Sequence, residues 1–422
     1  MSDSYPESHL PWRKGFWSLM ATQFQNAFSD NALKNLVVLL LLARFTEEAM
    51  RQQLAAAATF LFSAPFILFS MLGGWLADRF SKAAVMRGVK FAEMFIMLFA
   101  AGALALKSLP LELAAIFFMG CHSAIFGPSK YGILPELLPY EKLSWGNGLL
   151  ELLTFLGIIL GTVAGGFLAW GLKGSEYVCG LVLAVLAFAG WRMSQGITRV
   201  PPANPERPLR INPLADLIAQ VKVMKIDRDL WRAVGGNTGF FFVAALIQVN
   251  LVLHANDVLR LLEWQNGLLN AALALGIGIG SATAGSLSRG RIEYGLVPIG
   301  AVGMALSSVP LGWPGMGVIG FSGWLAVLGF SGGLFIVPIA AVIQHRPPPD
   351  SKGAVQGAVN LLSFIGIALA SGVQALLNLC HITSGQVFWF CGAAALGTGL
   401  YAAASRPGAV RNLLQSWFKG AS

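Results

Sequence analysis

Charge is scarce in this sequence. Lysine, arginine, aspartate and glutamate make up 12% of its 422 residues, where a soluble domain carries about a quarter. That supply cannot clothe a water-facing surface, and it excludes the ordinary soluble globular class. Cysteine is scarcer still. Cys121, Cys179, Cys380 and Cys391 fall in or near apolar runs and show neither pairing nor metal-ligand spacing. They read as small buried hydrophobes, and no metal site or cofactor is assigned. No glycine-rich P-loop occurs, so ATP hydrolysis by this chain is not expected. No basic block is interleaved with exposed aromatic residues, so the formal charge of +9 does not indicate nucleic acid.

Apolar side chain is abundant instead, at 55% of residues. Runs such as "ATFLFSAPFILFSMLGGWL" and "LLELLTFLGIILGTVAGGFLAW" approach the roughly 20 apolar residues that carry a helix across a bilayer. The 49 glycines fit, because small residues let membrane helices approach closely. The chain reads as an all-α polytopic membrane protein. Twelve spans are expected, at 16–43, 52–76, 84–107, 111–134, 145–170, 176–196, 232–254, 264–288, 294–312, 318–344, 354–378 and 385–404. The first is too long and too polar for a signal peptide and lacks a small-residue cleavage site. Basic residues set the orientation. Of 29 Lys and Arg, Arg44, Arg51, Lys107, Lys173 and Arg260 lie in loops on one side, and Lys34 and Lys130 lie inside spans. The rest fall on the other side, with both termini, which is therefore expected to be cytoplasmic.

Residues 197–231, rich in proline and basic side chains, break the pattern after six spans and before six more. They read as a cytoplasmic linker with a short amphipathic helix at 214–226. The expected domains are an N-terminal six-helix half at 1–196, the linker, a C-terminal half at 232–405 and a basic cytoplasmic tail at 406–422. The halves share a plan. "NGLLELLTFLGI" from 147 matches "QGAVNLLSFIGI" from 356, an offset of 209. "GGWLADRF" matches "AGSLSRGR" at an offset of 211 once Gly74 is set on Gly285. Two matches at nearly one offset argue for an internal duplication, and paired six-helix halves resemble the major facilitator superfamily. "GGWLADRFSK" is similar to that superfamily's loop motif G-x-L-A-D-R-x-G-R-K, with Gly74, Leu76, Ala77, Asp78 and Arg79 in place and Ser81 and Lys82 as departures. Asp78, at a helix end, is expected to meet helix dipoles and cations such as Arg79 or Arg87. Glu136 is expected to complete this gating network.

Ionisable groups at membrane depth are costly and usually face a cavity. In span 1, Gln23, Asn26, Asp30 and Lys34 step by three and four and so share a helix face. Asn147, Glu151 and Thr154 do the same in span 5, and Gln356, Asn360 and Ser363 repeat that stripe in span 11. Asp30 and Lys34 are also spaced to neutralise each other. Lys130, in "SAIFGPSKYGIL", has no such local partner. His122 and the Lys90–Glu93 pair read as helix packing. Span 7 carries only Asn237, Gln248 and Asn250 in its interior, beside Phe240, Phe241 and Phe242. Charge is thus concentrated in the first half, and a substrate with one charged and one apolar part is expected.

"QFQNAFSDNALK", "FGPSKYGILPEL" and "NGLLELLTFLGIILGTVAGG" resemble the bacterial lysophospholipid transporter family, the LplT type. Asp30 with Asn31, and the run Ser129 to Gly132 containing Lys130 and Tyr131, are the most specific parts. The resemblance implies flipping of lysophospholipids, notably lysophosphatidylethanolamine, from the outer to the inner leaflet of the bacterial inner membrane. It also implies a partner acyltransferase/acyl-acyl carrier protein synthetase, separate or fused, which re-acylates them. The stripes and the resemblance together give an expected substrate-binding set of Asp30, Asn31, Lys34, Lys130, Tyr131, Asn147, Glu151, Asn237, Gln248, Asn250 and Asn360. Lys130 would meet the phosphate, and Asp30 or Glu151 the ethanolamine ammonium. Where an arginine is expected in span 7 of some relatives, this chain has Gln248 or Asn250.

Two other readings stay open. One is a facilitator for a drug or small anion, with Asp30, Glu151 or Glu93 carrying protons. The other is a non-transporting scaffold, which has no reason to keep Asp30, Lys34, Lys130 and Glu151 at membrane depth. "HRPPPD", from His345 to Asp350, has the H-x-x-x-x-D spacing of glycerolipid acyltransferases. Three prolines fill the gap in a short loop, and base catalysis from it is rejected. No enzyme activity is expected.

Overall fold

The computed structural model describes residues 12–404 apart from 211 and 262, together with 406, 408–411, 413 and 415. Most of the expected tail at 406–422, and the first eleven residues, lie outside that set. The described residues form thirteen α-helices: α1 Trp12–Arg44, α2 Glu48–Arg79, α3 Lys82–Ala105, α4 Leu109–Leu137, α5 Leu143–Gly171, α6 Glu176–Ser194, α7 Pro213–Ile226, α8 Arg228–Asp257, α9 Glu263–Leu287, α10 Leu296–Leu311, α11 Val318–His345, α12 Lys352–Leu379 and α13 Ser384–Ala403. Twelve of them coincide with the twelve expected spans, and α7 is the amphipathic linker helix. By length and hydropathy, nine helices among the described residues are fit to cross a membrane. Helix α1 is not one of them, because its polar stripe lowers its hydropathy.

Helix starts follow from local chemistry. Asp227 caps α8 by accepting from the backbone N–H of Asp229 at 2.9 Å and Leu230 at 3.1 Å. Asn212 does the same for α7 through Leu214 and Ala215. Thr383 and Gln386 form a capping box at α13. Each satisfies first-turn N–H groups that have no partner within the helix.

The chain divides into two compact units. Unit 1 holds Met1–Tyr140, Leu156–Ile218 and Pro348–Asn360, and unit 2 holds Glu141–Phe155, Ala219–Pro347 and Leu361–Ser422. Two segments therefore lie across the boundaries expected from the linker: the start of α5 belongs to unit 2, and the start of α12 to unit 1. Backbone proximity explains both. In unit 2, a Cβ on Gly148 would lie 2.3 Å from the Ser281 carbonyl oxygen. In unit 1, a Cβ on Gly74 would lie 2.7 Å from the Gly353 carbonyl oxygen. Only glycine permits approaches this close.

The apolar core of unit 1 gathers the second half of α1 with α2, α3, α4, α5 and α6, around Leu33, Leu36, Met97, Ile116, Met119 and Leu183. Arg44, at the end of α1, pairs with the buried Glu112 at the start of α4 at 2.7 Å and closes that end. In unit 2, Phe240 of α8 stacks on Phe335 of α11 with centroids 5.7 Å apart, and Phe321, Phe388 and His254 form a second aromatic cluster.

Candidate functional site

Helix α1 brings its polar face against α3 and α4 in unit 1. Asp30 is buried. It accepts a hydrogen bond from the Ser123 hydroxyl at 2.6 Å and one from Asn26 Nδ2 at 3.2 Å. Its second oxygen, Oδ1, is buried without a hydrogen-bond partner among the described residues. A carboxylate oxygen left open at membrane depth is costly unless a ligand or proton completes it. Lys34 makes no close ion pair with Asp30 among the described residues, although the Asp30 carboxylate is its charged neighbour; its ammonium stands 5.1 Å from the Phe62 ring centroid. Asn31 turns back on its own helix and donates to the Ala27 carbonyl at 2.8 Å.

Lys130 is buried in α4, with its ammonium 4.2 Å from the ring centroid of half-buried Tyr131. Ser123, which holds Asp30, precedes Lys130 by seven residues, two turns along the same face. One face of α4 therefore serves both charged groups, about 10 Å apart along the axis at 1.5 Å per residue. A separate ionic group lies beside it. Glu93 pairs with Lys90 on α3, accepts from Gln25 Nε2 of α1 at 3.0 Å and faces His122 Nε2 of α4 at 3.3 Å. All four are buried. Glu93 and His122 do sit between packed helices, within a buried polar cluster.

The remaining predicted polar residues divide between the units. In unit 1, Asn360 donates to Ser70 Oγ at 2.8 Å. In unit 2, Asn147 is fully buried and forms a reciprocal amide pair with Gln344: Asn147 Nδ2 donates at 2.9 Å, and Gln344 Nε2 donates back at 2.7 Å. Asn237 donates to Ser363 Oγ at 2.8 Å. Gln248 is exposed, eleven residues on, and shares Asn237's face of α8. Asn250 points elsewhere. It is fully buried and donates to the Ser384 carbonyl at 2.8 Å, tying α8 to the start of α13. Glu151 is half-buried on α5. His345 ends α11, and Asp350 lies in the turn before α12.

The loop motif has partners that differ from those expected. Asp78 is fully buried and accepts from the backbone N–H of Gly353 at 2.6 Å and Ala354 at 2.9 Å, the first turn of α12. Its cation is neither Arg79 nor Arg87. It is Arg207 of the linker, at 2.9 Å, which also reaches Asp216 at 3.1 Å. Arg79 stacks on Trp75 and donates to the Arg207 carbonyl, so it holds the linker backbone rather than Asp78. Arg87 is spent on the carbonyls at the end of α6. Glu136 pairs with the buried Lys82 at 2.6 Å. Arg207 escaped the sequence reading because it lies 129 residues from Asp78, in a segment with no periodicity.

The described residues thus form a polytopic helical membrane protein, with ionisable groups buried among its helices and held by serine and amide side chains. The family model of the Major Facilitator Superfamily matches residues 19–371. The lysophospholipid transporter LplT of Klebsiella pneumoniae (strain 342) is 31% identical over 393 residues, covering 89% of this chain and 92% of the relative. That of Salmonella typhi is 30% identical over 389 residues, covering 90% of each. Among solved structures, the human organic anion transporter MFSD10 (TETRAN) superposes with a TM-score of 0.79 at 15% identity, over 93% of this chain and 99% of that one. The transporter FucP superposes with 0.72 at 12% identity, over 92% and 97%. These two speak to the fold alone. The chain belongs to the Major Facilitator Superfamily and, within it, to the LplT-type family.

Proposed function

We propose that this protein moves lysophospholipids, lysophosphatidylethanolamine among them, from the outer to the inner leaflet of a bacterial inner membrane. The halves 1–196 and 232–405 alternate access to the substrate, and both termini are cytoplasmic. An acyltransferase, separate or fused, then restores the second acyl chain. Relatives named as lysophospholipid transporters support the substrate class. The observation that carries the reading is the α4 face that presents Lys130 and, through Ser123, Asp30. The two groups have opposite sign and are buried in the first half, as a phosphate and an ammonium require. Asn237 and Gln248, beside Phe241, offer the second half of the substrate a polar but neutral surface. Asp78 and Arg79, with Gly74 and Glu136, serve as the gate.

The test is a leaflet-flip assay in proteoliposomes with labelled lysophosphatidylethanolamine, comparing wild type with Lys130→Ala and Lys130→Arg. Flipping by wild type, a loss of about tenfold or more in Lys130→Ala and partial return in Lys130→Arg are expected. Wild type that leaves the lipid in place refutes the substrate class. Full activity in Lys130→Ala refutes the site.

A further inference from the structure

A cavity of about 430 Å³ opens on the linker side of unit 1, between the α2–α3 loop and the chain that leaves α6. Its walls are Arg79, Phe80 and Ser81 on one side and Arg199 with Val200, Pro201 and Pro202 on the other. Among the described residues, two guanidinium groups line it and no carboxylate does. The neighbouring carboxylate, Asp78, is already taken by Arg207 and the first turn of α12. Arg199 is exposed and makes no ion pair or hydrogen bond among the described residues.

Helix α3 begins at this cavity. Ser81 is its N-cap, but the serine side chain does not cap the helix. Ser81 is 6% exposed, and its Oγ is buried with no hydrogen-bond partner among the described residues. The cavity therefore has an uncapped helix N-terminus, an unanswered hydroxyl and two guanidinium groups. Those are the components of a phosphate site.

The backbone of both walls is held before any ligand arrives, while the exposed Arg199 side chain can turn toward it. Arg87 of α3 donates to the carbonyls of Gln195 at 3.1 Å and Ile197 at 2.7 Å, which pins the start of the linker. Arg79 donates to the Arg207 carbonyl at 2.9 Å, which pins its middle. With the backbone already placed, the ordering cost on binding falls mainly on the Arg199 side chain. Phe80, 45% exposed, adds an apolar rim at the boundary between two membrane-spanning helices. Phospholipid phosphates lie near the ends of such helices.

We propose that this cavity binds a phosphate group through Arg79, Arg199 and Ser81, and that its occupant is the headgroup of an anionic phospholipid in the leaflet on the linker side. Binding there clamps the linker to the Asp78 loop. The site is separate from Lys130 and Asp30 but shares Arg79 with the proposed gate; the binding itself does not depend on the transport reading.

The experiment is thermal denaturation of the purified full chain in a neutral detergent. The titrants are short-chain phosphatidylglycerol, phosphatidylcholine of the same chain length and inorganic phosphate. A ligand bound to the folded state raises the melting temperature with its concentration. Phosphatidylglycerol is expected to stabilise the wild type, and phosphatidylcholine much less. Arg199→Gln is expected to weaken the phosphatidylglycerol effect by about tenfold or more in concentration. Arg192→Gln, an equal loss of charge on the exposed end of α6 outside the cavity, is expected to behave as wild type. Lysophosphatidylethanolamine flipping by Arg199→Gln in phosphatidylcholine liposomes is expected to match wild type, which separates this site from the transport site. An Arg199→Gln response equal to wild type overturns the site. Equal stabilisation by phosphatidylcholine overturns its charge selectivity. Inorganic phosphate as effective as phosphatidylglycerol overturns the lipid occupant in favour of a free anion.

Discussion

Replacing Gly161 by alanine tests how α1 is held. Gly157, Gly161 and Gly165 form a stripe of small residues along α5, and each faces a backbone carbonyl of α1. A Cβ at Gly161 would stand 2.2 Å from the Phe28 carbonyl oxygen. The neighbouring positions would give 2.7 Å to Phe24 and 2.6 Å to Ala32. A carbon–oxygen contact settles at about 3.3 Å, so the helices must separate by about 1 Å at Gly161. No side-chain rotation relieves a clash with backbone. Overpacking of this kind costs about 1–3 kcal/mol, and the backbone clash puts it near the upper end. Alanine's better helix propensity returns up to about 1 kcal/mol. A net loss of about 2 kcal/mol is expected. Gly88→Ala is the matched control, because nothing lies within 4 Å of a Cβ there. It is expected to gain up to about 1 kcal/mol from propensity alone. Thermal melts in mild detergent should place Gly161→Ala below wild type and Gly88→Ala at or above it. At about 2–4 °C per kcal/mol, the two variants should be separated by several degrees. Asp30 sits on the helix that moves, so lipid flipping should fall with Gly161→Ala. A Gly161→Ala melt equal to that of Gly88→Ala refutes the close-approach argument.

Three further predictions rest on buried polar pairs. Asn147→Ala strands the Gln344 amide and should cost about 1–3 kcal/mol; replacing both residues by leucine should cost less than the sum of the single changes in a double-mutant cycle on detergent melts. Glu93→Ala leaves Lys90 buried without its carboxylate and should cost about 3–5 kcal/mol, whereas Lys90→Met with Glu93→Met should recover most of it; purified yield and melting temperature report both. Arg207→Ala removes the link between Asp78 and Asp216, so limited proteolysis and backbone hydrogen exchange over 199–212 should rise while exchange in the core of α4 stays unchanged.

The helices were legible because hydropathy is local. Every expected span has its helix with ends within four residues, and α7 falls where the amphipathic pattern put it. The polar partners were not legible, because each pair joins residues far apart in sequence. Asn147 and Gln344 are 197 positions apart, and Asn360 and Ser70 are 290 apart. The partners are also small or ordinary. Ser70 and Ser123 leave no hydropathy signal, yet they hold Asn360 and Asp30; Ser363 stood out in its own stripe, but not as the partner of Asn237. Asn250 is the instructive exception, since the sequence held enough to separate it from Asn237. Thirteen residues at about 100° each turn the helix by roughly 220° beyond three full turns, so the two amides cannot share a face, whatever packs against them. Asp78 shows the opposite limit. Its identity and helix-end position were readable from the loop motif, and so was its attraction to a helix dipole. Which helix supplies the dipole depends on Gly74 and Gly353 letting two backbones meet, and which cation answers it depends on where an aperiodic linker lies. Neither is written in the residues around Asp78, because both are properties of chain segments that become its neighbours only on folding.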